Sequence, residues 1–127
     1  MTSSGHQTLR VLVVDDTPDI RLMVPFQLKM DGLTFGEAAS GEEALARCAA
    51  EQYDLLVLDY RMPGLSGLEV ARKLCDDQYS AEIIMYSAYV DDELQAAAQE
   101  LGIPVVDKAD SGGLRTVVQS KFGLVPA

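Results

Sequence analysis

Short apolar stretches alternate with longer mixed segments along the chain. Residues 11–14, 55–58, 83–85 and 103–106 are each too short for a helix and are rich in branched side chains, which is typical of fully buried strands. A weaker candidate at residues 33–38 completes the set. Each stretch is followed by a segment whose apolar residues recur every three or four positions, the spacing of one helix face. The pattern predicts five strands, each followed by a helix.

The later helices have clear apolar faces, and two helices carry capping signals. The fourth and fifth helices are expected to pack on the sheet through residues spaced for one face: Leu94, Ala97, Ala98 and Leu101, then Leu114, Val117, Val118 and Phe122. Ser40 followed by Glu43 predicts a capping box at the start of the second helix. Asp110 or Ser111 is expected to cap the fifth.

Strict alternation of strands and helices predicts a parallel sheet, because parallel strands need crossover connections. Right-handed crossovers put helices on both faces of such a sheet, so the expected fold class is α/β, a doubly wound sandwich. Ligands of these sheets bind beyond the carboxyl ends of the strands. The residues just after each apolar stretch are therefore the first candidates for chemistry.

Polar residues follow four of the predicted strands. Asp15 and Asp16 come after the first strand, Asp59 after the third, Ser87 after the fourth and Lys108 after the fifth. Each alone has a structural explanation as a turn or helix cap. Together they would form one cluster whose carboxylates repel one another unless a cation neutralises them, and oxygen ligands favour Mg²⁺. The sequence therefore predicts a magnesium site at this edge of the sheet.

The residue types in the cluster suit phosphoryl transfer to a carboxylate. Asp59 is the expected nucleophile, because Mg²⁺ and Lys108 would offset charge on the phosphoryl oxygens. A hydroxyl at Ser87 can donate to one of those oxygens, and its movement would report the covalent state to the nearby surface. The expected function is a phosphorylation switch.

Composition narrows the class further. The 127 residues fit one domain, and a formal net charge of −10 without a Lys/Arg cluster argues against direct contact with nucleic acid. Apolar runs of about five residues fall far short of the roughly 20 that cross a bilayer, and the polar start has no signal-peptide core, so we expect a cytoplasmic protein. Cys48 and Cys75 lack metal-site or CxxC spacing and are expected to be packed thiols.

The segments VLVVDD, LLVLDYRMPGLSGLE, IIMYSA and VVDK occur in the order found in receiver domains of two-component response regulators, which residues 9–122 resemble. The resemblance implies a (βα)5, flavodoxin-like fold: a five-stranded parallel sheet with strand order 2-1-3-4-5 inside a three-layer α/β/α sandwich. Residues 1–8 are expected to be a disordered tail and residues 123–127 a short C-terminal tail.

The resemblance also implies a role for each site residue. Asp59 would accept the phosphoryl group from a phosphohistidine of a sensor histidine kinase or phosphotransfer protein. Asp15, Asp16 and Asp59 would bind Mg²⁺ together with the backbone carbonyl of Arg61, and Ser87 and Lys108 would contact the phosphoryl group.

In such domains the receiver itself catalyses the transfer and a later slow hydrolysis, so the resemblance implies a signalling domain rather than an enzyme. Output to a partner, a fused effector domain or a second copy of the chain would pass through the fourth helix, fifth strand and fifth helix, roughly residues 90–101, 103–107 and 111–122.

Some residues depart from the family pattern. Val105 stands where a Tyr or Phe usually swings inward on activation, and Ala109 follows the lysine where proline is common. Signalling through Ser87 is therefore expected to use a different readout. Arg61 and Tyr89 are bulky at positions that border the path of the hydrolytic water, which predicts slow loss of the phosphoryl group.

Other classes fit less well. A phosphatase of the haloacid-dehalogenase type needs a second Asp two residues after its nucleophile, where this chain has Arg61. A flavodoxin-like carrier needs a Ser/Thr-rich phosphate loop after the first strand, where an Asp pair would repel the phosphate. The alternative that Val105 and Ala109 leave open is a degenerate receiver that acts as an interaction module without being phosphorylated.

Overall fold

The computed structural model, which describes residues 8–28, 32–110 and 112–123, contains the predicted alternation of strands and helices. The elements in chain order are β1 (Leu9–Val14), α1 (Pro18–Leu28), β2 (Leu33–Ala38), α2 (Gly41–Ala50), β3 (Leu55–Leu58), α3 (Gly67–Asp76), β4 (Glu82–Ser87), α4 (Asp92–Leu101), β5 (Val105–Asp107) and α5 (Gly113–Phe122). Most of the two predicted tails, and the candidate cap Ser111, lie outside the described residues.

The strands form one parallel sheet in the order β2-β1-β3-β4-β5, as the resemblance implies. Val14 at the end of β1 pairs with Ala38 of β2 and with Leu58 of β3, and Leu58 pairs in turn with Met85 of β4. These registers bring the carboxyl ends of neighbouring strands to one edge of the sheet. The residues that follow the strands therefore meet there.

Side chains alternate between two cores, one on each face of the sheet. Residues such as Leu12, Leu56 and Met85 pack against α2, α3 and α4, and residues such as Val13 and Ile84 pack against α1 and α5. The predicted three-layer sandwich is confirmed. The predicted helix faces are also confirmed, with Leu94, Ala98, Leu114 and Val118 buried. Within the described residues, no helix has both the length and the hydropathy needed to cross a membrane.

The thiols and helix caps differ partly from the predictions. Cys48 is buried, but Cys75 is exposed, because it lies on the outer face of α3, so its assignment as a packed thiol was wrong. Ser40 caps α2 by accepting a hydrogen bond from the backbone of Glu43. The α5 N-cap is Gly112, which has a φ of 90°, and not Asp110, because the turn after β5 runs on past that residue.

Candidate functional site

The strand ends hold the acidic residues by extending the hydrogen bonds of the sheet. The Asp15 N–H donates to the Ala38 carbonyl at 3.1 Å, and the Asp59 N–H donates to the Val14 carbonyl at 2.9 Å. One carboxylate oxygen from each of Asp15, Asp16 and Asp59 lies within 4.8 Å of the others. Asp15 and Asp59 are 2% and 7% exposed, and Asp16 is exposed. The predicted clustering of the three carboxylates is therefore found in the structure.

Lys108 lies within hydrogen-bonding distance of two of these carboxylates. Its Nζ donates to Asp15 Oδ2 at 2.7 Å and to Asp59 Oδ1 at 3.3 Å. Its backbone N–H donates to the Ser87 carbonyl at 2.9 Å, which fixes the lysine relative to β4. Burial alone would lower the pKa of Lys108, but its hydrogen bond to Asp15 and the charge of Asp59 raise the pKa above its ordinary value. The lysine is therefore a permanent cation at neutral pH.

The surroundings of Asp59 shift the pKa of its carboxyl group. Burial and then the charge of Asp15 raise the pKa of Asp59 to about 6, although Lys108 acts in the opposite direction. One ammonium group does not offset three carboxylates, so the site favours an added cation. An oxygen-only ligand set on a negatively charged pocket has the chemistry that Mg²⁺ prefers. The residues present therefore fit a magnesium ion.

Asp15 also has the local role that its position after a strand suggests. Its Oδ1 accepts a hydrogen bond from the Thr17 N–H at 2.9 Å, just before α1 begins. Arg21, which the sequence reasoning did not single out, donates to the Asp15 carbonyl at 2.6 Å and to Glu37 Oε1 at 2.9 Å. The signal for Arg21 in the sequence is a basic residue five positions after Asp16. These contacts attach the start of α1 to the site.

The loop after Asp59 is held by a close contact with α3. The Gly67 N–H donates to the Tyr60 carbonyl at 2.9 Å. A Cβ on Gly67 would lie 2.2 Å from the Asp59 carbonyl oxygen and 2.9 Å from Met85 Sδ, so no larger residue fits without movement of the backbone. Glycine at this position therefore allows α3 to pack directly beneath the site.

Arg61, two residues after Asp59, has an exposed side chain that contacts three neighbours. Its guanidinium lies 5.7 Å from the ring centroid of Tyr60 and 5.2 Å from that of Tyr89. It also pairs with Asp91 Oδ2 at 3.6 Å. Metal binding by its backbone carbonyl remains a prediction.

Ser87 is buried at the end of β4, but its hydroxyl is bonded to the following turn. The Tyr89 N–H donates to Ser87 Oγ at 3.0 Å, and Ser87 Oγ donates to the Tyr89 carbonyl at 3.1 Å. A contact between this hydroxyl and a phosphoryl group therefore requires the hydroxyl to leave Tyr89. Its predicted role stays a prediction.

The comparisons of this chain with known proteins point to one family. Residues 11–109 match the model of the response regulator receiver domain. The alkaline phosphatase synthesis transcriptional regulatory protein PhoP of Bacillus subtilis is 34% identical over 93 residues, which cover 73% of this chain and 39% of that protein. The sensor protein EvgS of Escherichia coli is 38% identical over 77 residues, which cover 61% of this chain and 6% of that protein. The chain spans less than half the length of these curated relatives.

A solved structure agrees with both the sequence match and the fold. The response regulator TrrA of Thermotoga maritima, in complex with Mg(2+)-BeF, is 35% identical with a TM-score of 0.78, and the match covers 89% of this chain and 98% of that one.

Proposed function

Because the chain belongs to the response regulator receiver domain family, we propose that Asp59 accepts a phosphoryl group from a phosphohistidine of a sensor kinase or phosphotransfer protein. The observation that carries this proposal is the meeting of Asp15, Asp16 and Asp59 with Lys108 at one edge of the sheet. Two buried carboxylates close to a third are costly for a fold, so their presence argues for a ligand that they bind.

Mg²⁺ would be held by Asp15, Asp16, Asp59 and the Arg61 carbonyl, and when bound it would neutralise charge on the phosphoryl oxygens. The complex of TrrA with Mg(2+)-BeF supports this for a related domain. Lys108 supplies a second positive charge, since its Nζ already lies 3.3 Å from Asp59 Oδ1.

The transfer forms one bond and breaks another. A carboxylate oxygen of Asp59 attacks phosphorus, and the bond from phosphorus to the histidine nitrogen breaks, so the nitrogen keeps the electron pair. The nucleophile must be ionised, and with a pKa of about 6 Asp59 is mostly ionised above neutral pH. The Ser87 hydroxyl then donates a hydrogen bond to a phosphoryl oxygen. Hydrolysis of the aspartyl phosphate by water returns the carboxylate and releases phosphate.

The switch would act on other proteins through α4, β5 and α5. The relatives include transcriptional regulatory proteins and a sensor protein, so a fused effector domain, a separate partner and a second copy of the chain are the classes of target. Although Val105 and Ala109 depart from the family pattern, the degenerate receiver is not supported, because the three carboxylates and the lysine are all present and close together.

The test is incubation with acetyl phosphate and Mg²⁺, followed by intact mass measurement. Wild type should gain the mass of one phosphoryl group, and Asp59→Asn and wild type in EDTA should gain none. Asp76→Asn, an exposed carboxyl at the end of α3, is the matched control and should behave as wild type. An unmodified wild type, or a modified Asp59→Asn, would exclude the proposed role.

A further inference from the structure

Four side chains connect the loop after the phosphoacceptor to the start of α4. The Arg61 guanidinium lies over the ring of Tyr60 and over that of Tyr89, and it pairs with Asp91 at 3.6 Å. Asp91 is the N-cap of α4, since its Oδ1 accepts the Leu94 N–H at 2.8 Å. We call Tyr60, Arg61, Tyr89 and Asp91 the Arg61 bridge. It joins the β3–α3 loop to the first turn of α4.

The backbone of Tyr89 links the Arg61 bridge to Ser87. Ser87 Oγ is bonded to both the N–H and the carbonyl of Tyr89, whose ring lies over Arg61 and is 64% exposed. If the hydroxyl turns toward a phosphoryl group, its hydrogen bond to the Tyr89 carbonyl breaks, and displacement of Oγ also breaks the bond from the Tyr89 N–H. The turn that carries the Tyr89 ring is then free to move.

We propose that the Arg61 bridge carries the state of Ser87 to the first turn of α4, in place of an aromatic residue on β5. The inference rests on the proposed phosphorylation of Asp59. Release of the Tyr89 backbone shifts its ring away from Arg61, and the ion pair between Arg61 and Asp91 is then lost. The α4 N-cap, which shares Asp91, changes with it.

Two observations favour this route. Position 105 is a half-buried valine, whose small side chain has no ring to turn between an exposed and a buried position. The contacts of the bridge are also suited to rearrangement, because ion pairs and cation–π contacts at exposed sites are weak. Arg61 and Asp91 side chains are 62% and 46% exposed. A weak bridge changes partners at small cost.

Rearrangement of the bridge would reshape an adjoining surface. A cleft of about 650 Å³ lies between α3 and α4, and Tyr60, Arg61, Met62, Arg72 and Glu93 are among its lining residues. Two members of the bridge form part of its wall. The phosphorylation state would therefore alter this cleft directly, in addition to the end of α4.

The first test needs no phosphorylation. Ser87→Ala removes the two hydrogen bonds to Tyr89, and Asp91→Asn removes the charge that pairs with Arg61 while keeping an oxygen that accepts the Leu94 N–H. Amide hydrogen exchange is measured for residues 92–95 in wild type, both single variants and the double variant, relative to amides in β3. Asp77→Asn, which breaks the exposed Lys73–Asp77 pair, replaces Asp91→Asn in a control cycle.

Ser87→Ala should change the relative exchange rate of the first turn of α4 by at least about twofold. That factor corresponds to the smallest coupling usually measured between residues in contact. The change should be absent in the Asp91→Asn background and retained in the Asp77→Asn background. An equal change in all backgrounds would overturn the proposed route.

The second test uses protein treated with acetyl phosphate and Mg²⁺, with the phosphoryl group confirmed by intact mass. Wild type should show altered exchange at both Tyr89 and the first turn of α4. Tyr89→Phe, which keeps the ring over Arg61, should retain the α4 change, and Tyr89→Ala should lose it. A phosphorylated Tyr89→Ala that retains the full α4 change would overturn the inference. Failure to take up phosphate refutes the proposed function instead, and the first test then decides the coupling alone.

Discussion

Replacing Asp59 with asparagine should make the metal-free domain more stable at neutral pH. Asp59 is buried beside Asp15, and its ionised form is disfavoured in the folded state. The substitution removes the charge, keeps the size of the side chain and keeps an oxygen for Lys108. The unfolded chain gains little from the change, because an exposed aspartate is well solvated.

The pKa of Asp59 gives the size of the effect. A rise from 3.8 to about 6 corresponds to about 3 kcal/mol, at roughly 1.4 kcal/mol per pKa unit. Because the weaker hydrogen bond of the amide with Lys108 offsets part of this, we expect a gain in unfolding free energy of about 1–3 kcal/mol at pH 7.5.

The direction of the Asp59 pKa shift determines how the stability gain of Asp59→Asn depends on pH. A carboxyl whose pKa is higher in the folded state binds its proton more tightly there, so it favours folding below pH 3.8 and loses that contribution as pH rises through about 6. The difference in unfolding free energy between Asp59→Asn and wild type should therefore be largest at pH 7.5 and small near pH 4. Most carboxylates stabilise a fold at high pH, so a gain on removing the charge at high pH is specific to a group with a raised pKa.

The assay is urea unfolding followed by circular dichroism in EDTA, at several values between pH 4 and pH 7.5. Asp76→Asn controls for loss of an exposed charge and should stay within about 0.5 kcal/mol of wild type. Mg²⁺ at ten times its Kd should then add about 1.4 kcal/mol to wild type and less to Asp59→Asn. An Asp59→Asn protein no more stable than wild type at pH 7.5, or a gain that is the same at pH 4, would refute the reasoning.

Three further predictions follow from the site. Gly67→Ala should lower the unfolding free energy by about 2 kcal/mol or more in thermal or urea melts, because its Cβ would lie 2.2 Å from the Asp59 carbonyl; an unchanged melt would contradict that contact. Lys108→Met should lower the unfolding free energy by about 3 kcal/mol at pH 8, because it leaves two buried carboxylates without their cation. The loss should be smaller at pH 5, and a loss that does not depend on pH would point to packing instead. In the phosphorylated protein, Arg61→Ala with Tyr89→Ala should speed dephosphorylation about three- to tenfold, equivalent to about 0.7–1.4 kcal/mol of barrier, as followed by mass over time; an equal or slower decay would show that their bulk does not hinder water.

The parts of the site that sequence predicted are those that strand geometry dictates. Asp15, Asp59 and Lys108 each follow a strand of a parallel sheet, and parallel strands deliver their carboxyl ends to one edge. Once the alternation of elements was clear, their meeting required no knowledge of side-chain conformation. The buried faces of α4 and α5 were predicted separately, from the helical spacing of their apolar residues.

Side-chain directions in loops and turns were not predictable in this way. The pairing of Ser87 with the Tyr89 backbone, and of Arg61 with Asp91, depends on how two loops approach each other. Gly112 replaced Asp110 as the cap of α5 because the length of a turn is not encoded in one residue. Such contacts are set by tertiary structure, which local patterns do not determine.

The long sequence separation of Lys108 from its partners has a consequence for how the domain acquires its activity. Lys108 is 93 residues from Asp15 and 49 from Asp59, so the cation joins the two carboxylates only after the last strand has docked. Contacts of such high separation form at the expense of loop-closure entropy and tend to come late in folding. A nascent chain that has not yet made β5 holds acidic residues without their lysine. Under the proposed function, competence to be phosphorylated would therefore belong to the completed domain, and a partly folded chain would not signal prematurely.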